Sequence, residues 1–364
     1  MPEAQPVVAI DPIPLALGQG TLDRRADLRT AGWPSVPATR RVVLLDEQGE
    51  AVVQRAADRT AVLVDGASLT THQRPDGLLG DAAPANGAGE RPASATPDRM
   101  TPDPGTPGPR PSDPGMPDPT TPADPDDILL GVDEQGRAVL GRVLPRDAIT
   151  LPAGAEWASL RSVGLRLPAE DRALFAELLA LANWHARHTH CPRCGAPTTP
   201  AGLGWWRTCI VDGSEHYPRT DPAVIAILVD EAGNALLGRQ VVWPVGAFST
   251  LAGFVEPGES AERAVLREIA EEVGLRPEAV AYVASQPWPF PASLMLGFEA
   301  RISGVRPTPR VDGVEIAEAR WLSREELPDL AEAREVRLPG RLSIAHQLVR
   351  RWFGSEIPDS WCRW

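Results

Sequence analysis

Three glutamates, Glu268, Glu271 and Glu272, lie three and four residues apart in the stretch "REIAEEVGL". On an α-helix, residues at these spacings project from one face, so the three carboxylates would lie side by side. Like charges so placed repel, and only Arg263 and Arg267 are close enough in sequence to offset them. Carboxylate oxygens on a rigid helix are typical ligands of Mg²⁺ or Mn²⁺, which also bridge to phosphate oxygens. The pattern predicts metal-dependent phosphate chemistry; an exposed acidic helix without metal is the alternative.

The residues around these glutamates indicate how they would be positioned. Gly253 opens a glycine-containing turn before the predicted helix, where the backbone could approach a ligand closely, and Gly274 is placed to end the helix. A second set of side chains on the helix is apolar and can face a core: Ala264, Val265, Ile269 and Val273. The segment therefore predicts a loop, an amphipathic helix and a loop.

Cysteines form a second candidate site. Cys191 and Cys194 are separated by two residues, and Cys209 follows after fourteen more, in glycine-bearing, loop-like sequence. This spacing is most of a zinc ribbon, a structural Zn²⁺ site with four ligands. Asp212 occupies the position that would complete a second C-x2-C, and His216 follows four residues later. Because three cysteines and a histidine are a more usual set, His216 is favoured over Asp212, and a ribbon without metal is the alternative.

Three further histidines, His185, His188 and His190, lie just before the first cysteine. At the end of an amphipathic helix, such residues are more often capping or surface groups than metal ligands. We therefore expect them to lie outside the metal site.

Composition limits the class of protein. The chain has 364 residues, a net charge of −13, and 36 basic residues that are all arginine. A general binder of nucleic-acid backbones would carry a basic face, so an anionic substrate would need metal ions or local arginines. The absence of lysine excludes Schiff-base catalysis. No apolar run reaches the roughly 18 residues of a membrane span, so we expect a cytoplasmic protein that does not bind membranes.

The elements divide the chain into an N-terminal and a C-terminal half. Two stretches, 38–53 and 126–145, alternate apolar and polar residues around a glycine turn and predict two hairpins of one β-rich domain. Between them, residues 73–126 hold 14 of the 39 prolines and few large apolar residues, which predicts a disordered insertion. A helical pattern then runs from about Pro168 to His190, and mixed strands and helices follow from Asp221.

The fold class predicted from these patterns is α+β. The expected domains are a β-rich N-terminal domain with a terminal helix (1–72 and 127–184), the insertion (73–126), a zinc ribbon (185–220), an α/β domain (221–355) and a C-terminal tail (356–364).

The segment from Gly253 to Leu275 resembles the Nudix box, G-x5-E-x7-R-E-U-x-E-E-x-G-U. Every fixed position of that pattern is matched, by Gly253, Glu259, Arg267, Glu268, Ile269, Glu271, Glu272, Gly274 and Leu275. The resemblance implies a C-terminal α/β/α sandwich that hydrolyses nucleoside diphosphates linked to another group. It also implies that glutamates of the box hold Mg²⁺ or Mn²⁺.

A second stretch, "SQPWPFPAS", resembles the signature of the NADH pyrophosphatase branch of the Nudix proteins. That branch also carries a zinc ribbon before a "YPR" segment, here Tyr217 to Arg219. The resemblance implies an enzyme that splits NADH or NAD⁺ into nicotinamide mononucleotide and AMP, and that acts as a homodimer. Some members remove NAD caps from RNA, so NAD-capped RNA is a further expected substrate. Read alone, Trp288 and Phe290 among three prolines could instead form a rigid loop at a dimer interface.

The resemblance also assigns residue roles. Glu268, Glu271 and Glu272 would hold the metal ions, with Glu315 as a further ligand or base. Arg267 would pair with Glu259 and hold the loop. The substrate would be contacted by five residues: Phe254, Tyr217, Gln286, Trp288 and Ala345.

Three other functions compete with this hypothesis. The first is hydrolysis of another nucleoside diphosphate derivative such as ADP-ribose, which the "SQPWPFPAS" stretch disfavours. The second is a nucleotide-sensing regulator without turnover, which a complete box disfavours. A zinc-ribbon nucleic-acid adaptor is the third, and the acidic balance argues against it.

Overall fold

A computed structural model describes residue 17 and residues 22–32, 40–55, 61–66 and 127–362. The predicted insertion, residues 73–126, lies outside the described residues. Within the described part of the chain, no helix combines the length and apolar character needed to cross a membrane.

The N-terminal unit is a six-stranded sheet with three helices. In chain order its elements are α1 (Ala26–Ala31), β1 (Arg40–Leu45), β2 (Glu50–Arg55), β3 (Ala61–Leu63), β4 (Ile128–Val132), β5 (Ala138–Val143), β6 (Ala155–Ser159), α2 (Leu160–Val163) and α3 (Ala169–Arg187). The two predicted hairpins are confirmed, because β1 pairs antiparallel with β2 and β4 with β5. Parallel pairing of β1 with β5 joins the hairpins into one sheet on either side of the insertion.

Helix α3 covers one face of this sheet. Its apolar side chains include Leu174, Phe175 and Leu178, which are buried in one core with Val43 and Val139 of the strands. The apolar periodicity of the sequence therefore identified both the helix and its buried face.

A small three-stranded sheet follows α3 and carries the cysteines. Its strands are β7 (Thr198–Ala201), β8 (Trp206–Cys209) and β9 (Glu215–His216), paired in that order. Arg207, on β8, is fully buried and ties the sheet to α3 through His185. The prediction that His185 is a capping or surface residue is wrong, because its ring is 0% exposed and accepts a hydrogen bond from Arg207.

The C-terminal unit is a second six-stranded sheet between helices. Its elements are β10 (Asp221–Val229), β11 (Ala235–Gln240), β12 (Leu251–Phe254), α4 (Ala261–Val273), β13 (Ala279–Trp288), β14 (Ser293–Arg301), β15 (Ile316–Leu322), α5 (Leu327–Glu332) and α6 (Ile344–Phe353). The sheet order is β13-β14-β10-β11-β15, and β12 pairs with β10.

Alternation along β10 shows why this unit is a sandwich. Val224, Ala226 and Leu228 point into the core that α4 covers. Ile225 and Ile227, one residue out of phase, point into the core that α6 covers. Because successive side chains of a strand face opposite sides, one apolar strand supplies both layers. The α+β fold with a C-terminal α/β/α sandwich is as predicted.

The "SQPWPFPAS" stretch is more regular than a surface loop. Ser285 to Trp288 form the end of β13, and the Phe290–Pro291 peptide in the following turn is cis. Pairing with β14 thus fixes this stretch in the outermost strand of the sheet.

Candidate active site and metal centre

Helix α4 brings the three glutamates to the edge of the sheet. The Ser260 side chain accepts a hydrogen bond from the Arg263 backbone N–H and begins the helix, and Gly274, at φ 67°, ends it. The apolar face of α4 is buried against β10. Since this face is fixed by packing, the direction of the acidic face is fixed as well.

The three carboxylates lie in different environments. Glu272 is 2% exposed, and its Oε2 atom has no hydrogen-bond partner among the described residues. Glu268 has a side chain that is 12% exposed, whereas that of Glu271 is 62% exposed. A buried carboxylate oxygen without a partner is costly, so Glu272 marks a place where a cation would be stabilising.

Arg267 lies at the centre of the acidic groups. Its Nη2 lies 2.9 Å from Glu259 Oε2, its Nη1 lies 2.7 Å from Glu268 Oε1, and Nη1 also donates to Glu271 at 3.1 Å. A further bond, 2.8 Å long, runs from Nη2 to the carbonyl oxygen of Phe254. The guanidinium therefore holds the box loop against α4, which is the arrangement expected for the Arg267–Glu259 pair.

Glu268 approaches the backbone closely at Gly253. A Cβ atom built on Gly253 would lie 2.0 Å from the Glu268 carboxyl carbon and from its Oε1. Any side chain here would displace the carboxylate, so the backbone of β12 forms one wall of the acidic site.

The electrostatics of Glu272 favour a positive charge nearby. Burial first, and then the nearby charges of Glu268, Glu315 and Asp312, raise the pKa of Glu272 to about 8. Desolvation and like charges both penalise the ionised form, and a divalent cation relieves both penalties.

Asp312 belongs to this acidic group and was missed in the sequence. Its side chain accepts hydrogen bonds from the backbone N–H groups of Val314, Glu315 and Ile316. These hydrogen bonds lower the pKa of Asp312, and the bond from Ile316 has the largest effect. The Asp-Gly pair at 312–313 is a turn signal that could have identified it.

A cavity of about 510 Å³ opens beside Glu272. It lies where the sheet of the sandwich meets the N-terminal unit. Its lining consists of Arg161, Ile225, Gly238, Gln240, Trp243, Ser249, Thr250, Ala252, Glu272, Gln286, Trp288, Met295, Ile316, Pro339, Gly340, Leu342, Ser343, Ile344 and Ala345. A cavity of this size and mixed polarity fits one half of a dinucleotide.

Three of the five predicted substrate-binding residues line the cavity: Gln286, Trp288 and Ala345. Gln286 is fully buried and binds the start of α6, because its amide donates to Leu342 O at 2.9 Å and accepts from Ile344 N at 2.7 Å. The structure thus gives Gln286 a positioning role in the cavity wall.

Phe254 and Tyr217 lie elsewhere. Both are exposed and neither lines the cavity, and the Tyr217 hydroxyl donates to Glu215. Their contacts with substrate stay predictions.

Most of the other lining residues carry no signal in the sequence, and Arg161 and Thr250 are two of them. Thr250 precedes the box by three residues, and its buried hydroxyl oxygen has no partner among the described residues. Arg161 comes from the other unit. No local pattern marks either residue, since only the tertiary fold brings them to the cavity.

The cysteine cluster has a different fourth member from the one favoured in the sequence. Potential ligand atoms of Cys191, Cys194, Cys209 and Asp212 all lie within 4.8 Å of one another, so this group could hold a metal ion. His216 is outside the group, and its ring lies 3.1 Å from the Ser214 hydroxyl. The preference for His216 is therefore corrected to Asp212.

Local structure explains why Asp212, rather than His216, lies next to the cysteine sulfur atoms. The turn after Cys209 contains Gly213 at φ 68°, and it folds Asp212 back towards the sulfur atoms. Hydrogen bonds from the hydroxyl and backbone N–H of Ser214 hold the pKa of Asp212 well below its usual range. His216 instead pairs with Arg207 in the β-ladder, which fixes its backbone away from the turn.

Two family descriptions match the chain. Residues 219–339 match the NUDIX domain, and residues 42–184 match the NADH pyrophosphatase-like rudimentary NUDIX domain. A solved NUDIX hydrolase from Nitrosomonas europaea aligns with 46% of this chain and 90% of its own, at 19% identity and a TM-score of 0.34.

Curated relatives extend the match across both units. The NAD-capped RNA hydrolase NudC of Mycobacterium bovis is 42% identical over 243 residues, which are 64% of this chain and 77% of the relative. The human NAD-capped RNA hydrolase NUDT12 is 39% identical over 200 residues, 52% of this chain and 43% of the relative. The chain therefore belongs to the Nudix hydrolase family, in the branch that joins a NADH pyrophosphatase-like rudimentary domain to a NUDIX domain.

Proposed function

We propose that this protein hydrolyses the pyrophosphate bond of NADH and NAD⁺ and releases nicotinamide mononucleotide and AMP, with Mg²⁺ or Mn²⁺ as cofactor. The main support is the buried Oε2 of Glu272 beside the cavity, which has no hydrogen-bond partner within the described ranges. The NADH pyrophosphatase-like domain and the names of the relatives favour NAD-derived substrates over other nucleoside diphosphates.

The acidic site fits a divalent cation. Glu268, Glu271 and Glu272 would hold it, with Glu315 as a further ligand or base, and these oxygens are the ligands that Mg²⁺ and Mn²⁺ prefer. When bound, the cation neutralises diphosphate charge and activates water for attack on phosphorus. Arg267 keeps Glu259, Glu268 and Glu271 in register by its hydrogen bonds.

The cavity would hold one mononucleotide half of the substrate. The diphosphate then lies next to Glu272, and the other half extends towards solvent, where Phe254 could stack on a base. Hydrolysis adds one water across the P–O–P linkage: an oxygen–phosphorus bond forms, the bridging bond breaks, and two monophosphates leave.

NAD-capped RNA is proposed as a second substrate. The relatives are named for this activity. The net charge of −13 disfavours extensive contact with an RNA backbone, so recognition would centre on the cap.

A structural Zn²⁺ is proposed for the cysteine cluster. Three thiolates and the Asp212 carboxylate provide the four ligands of a closed tetrahedral site. We further propose a cytoplasmic homodimer, as the resemblance to the branch implies.

Product analysis tests the proposal. The purified protein is incubated with NADH, NAD⁺, ADP-ribose or a 5′-NAD RNA, with Mg²⁺ or Mn²⁺, and products are separated by chromatography. Nicotinamide mononucleotide and AMP from NADH are expected. Turnover of ADP-ribose alone would favour the other Nudix activity, and absence of turnover with every substrate would favour a sensor.

A further inference from the structure

Arg161 brings a positive charge from the N-terminal unit into the catalytic cavity. It lies on α2, directly after β6, and its guanidinium carbon is 4.0 Å from the ring centre of Phe290 and 5.1 Å from that of Trp288. Among the described residues that line the cavity, Arg161 is the one basic side chain and Glu272 the one acidic side chain. The cavity thus carries opposite charges contributed by two different units.

The two units are packed together at this point. The side-chain amide of Asn183, on α3, donates to the carbonyl oxygens of Pro289 and Pro291 at 3.1 and 3.3 Å. Leu342, from the C-terminal unit, is buried in the core of the N-terminal unit. Trp288 and Phe290 pack against this core. Because α2 and the turn after β13 share one core, Arg161 is held beside the cavity rather than reaching it on a free loop.

The guanidinium is available for a ligand. It makes no hydrogen bond or ion pair with any other residue in the part of the chain that the structure describes. Stacking on an aromatic ring leaves the N–H groups at the edge of the guanidinium plane free. That planar edge matches two oxygens of a phosphate, which makes arginine suited to bidentate phosphate binding.

We propose that Arg161 binds a phosphate oxygen of the nucleotide half that occupies the cavity, so that the N-terminal unit supplies a substrate-binding residue to the NUDIX site. This inference rests on the proposed function, since it assigns a further contact of the same substrate. Glu272 and its cation would act on one side of the diphosphate and Arg161 on the other.

Two matched pairs of ligands isolate the phosphate contact. Nicotinamide mononucleotide is compared with nicotinamide riboside, and AMP with adenosine, by titration calorimetry on the full chain. The proteins are the wild type, Arg161→Gln, Arg161→Lys and Arg166→Gln. Arg166 is an exposed arginine five residues away that does not line the cavity, so it controls for lost positive charge.

For Arg161→Gln we expect the affinity for at least one of the two nucleotides to fall about tenfold or more, because a charge-assisted hydrogen-bond pair is lost. The matching nucleoside, which lacks the phosphate, should bind Arg161→Gln with the same affinity as the wild type. Arg161→Lys keeps the charge without the planar guanidinium, so its nucleotide affinity should lie between those of the wild type and Arg161→Gln. Arg166→Gln should bind the nucleotides as tightly as the wild type does. In steady-state NADH hydrolysis, Arg161→Gln should raise KM with a smaller change in kcat.

Equal losses for nucleotide and nucleoside would overturn the proposal, because Arg161 would then only support the cavity wall. Unchanged nucleotide binding, or binding of neither nucleotide to the wild type, would overturn it as well. Failure of the wild type to hydrolyse NADH counts against the proposed function, whereas the phosphate-dependent difference in binding is measured without turnover. Thermal melts of all four proteins check that the fold is intact.

Discussion

Glu272 combines a buried side chain with several negatively charged neighbours. It lies among other acidic groups and faces a cavity, and its Oε2 has no hydrogen-bond partner in the described part of the chain. A surface glutamate at the same helical spacing would instead be solvated, as Glu271 is. Burial thus makes Glu272 the carboxylate of the three for which a nearby cation would be most stabilising.

Replacing this carboxylate should abolish most turnover. For Glu272→Gln we expect kcat to fall about a hundredfold or more, at about 1.4 kcal/mol per factor of ten, because a charged ligand of the activating cation is lost. NADH hydrolysis across a Mg²⁺ and Mn²⁺ titration measures the effect. Folding should be retained, because glutamine keeps the size and helix propensity of glutamate at this position.

Glu262 provides a matched control on the same helix, since it is exposed in the first turn of α4. Glu262→Gln should leave kcat and its metal dependence unchanged. Near wild-type turnover in both Glu271→Gln and Glu272→Gln would contradict the metal-clamp mechanism.

Asp212 is the second residue whose role can be tested directly. Wild-type protein should contain about one zinc per chain, as closed structural sites do. Asp212→Asn keeps the turn but removes the charged oxygen, so zinc content and thermal stability should both fall. His216→Gln should retain the zinc, because His216 lies outside the cluster. Elemental analysis decides, and loss of zinc from His216→Gln alone would restore His216 as the ligand.

At the scale of elements, a buried polar contact fixes the cysteine-bearing sheet to α3. Arg207 donates to His185 Nδ1 at 3.1 Å and to Thr198 O at 2.7 Å, and His185 Nε2 lies 2.8 Å from Gly204 O. Since Nδ1 accepts from Arg207, the neutral imidazole must carry its proton on Nε2 and donate it to Gly204 O. Burial first, and then the charge of Arg207, lower the pKa of His185 to about 4.

This contact predicts acid sensitivity. A histidine whose pKa is depressed on folding stabilises the protein fully above the unfolded pKa of about 6.5, and the stabilisation is lost as pH falls towards 4. The contribution amounts to about 3 kcal/mol at most, at about 1.4 kcal/mol per pKa unit. Urea melts between pH 7 and pH 4.5 should show a shallower loss of stability in His185→Gln than in the wild type.

The exposed His190 serves as the control, and His190→Gln should follow the wild-type pH dependence. All three proteins keep the cysteine cluster, so loss of a metal ion from it at acid pH would cancel in the comparison. Identical slopes for His185→Gln and the wild type would show that His185 is not held neutral.

At the scale of the whole molecule, the expectation for the insertion between β3 and β4 rests on its amino-acid composition alone. Residues 73–126 are rich in proline and poor in large apolar residues, a composition that predicts too little buried surface for folding. Shortening the insertion should change kcat and KM less than twofold, and stability only slightly, because the cost of closing a surface loop varies slowly with length.

NADH hydrolysis and thermal melts of the deletion variant test this expectation. A short Gly/Ser replacement keeps the connection between β3 and β4. Loss of folding or activity in that variant would mean that the segment is structured and that the predicted domain boundaries are wrong.

The sequence by itself determined the parts of this protein that local geometry controls. The box is contiguous, and helical periodicity alone places Glu268, Glu271 and Glu272 together and turns Ile269 inward. Hairpins around Gly49 and Gly136 and the apolar face of α3 are likewise local, since each follows from turn chemistry or from a repeat within one element.

Only the tertiary structure decided which residues share an environment. It buried Glu272 and left Glu271 exposed, buried His185 beside Arg207, and placed Asp212 rather than His216 among the sulfur atoms. It also brought Arg161 to a cavity whose other walls lie about 60 to 185 residues later in the chain. Burial, partner choice and cavity shape depend on packing between distant segments, and no local pattern of residue types encodes that packing.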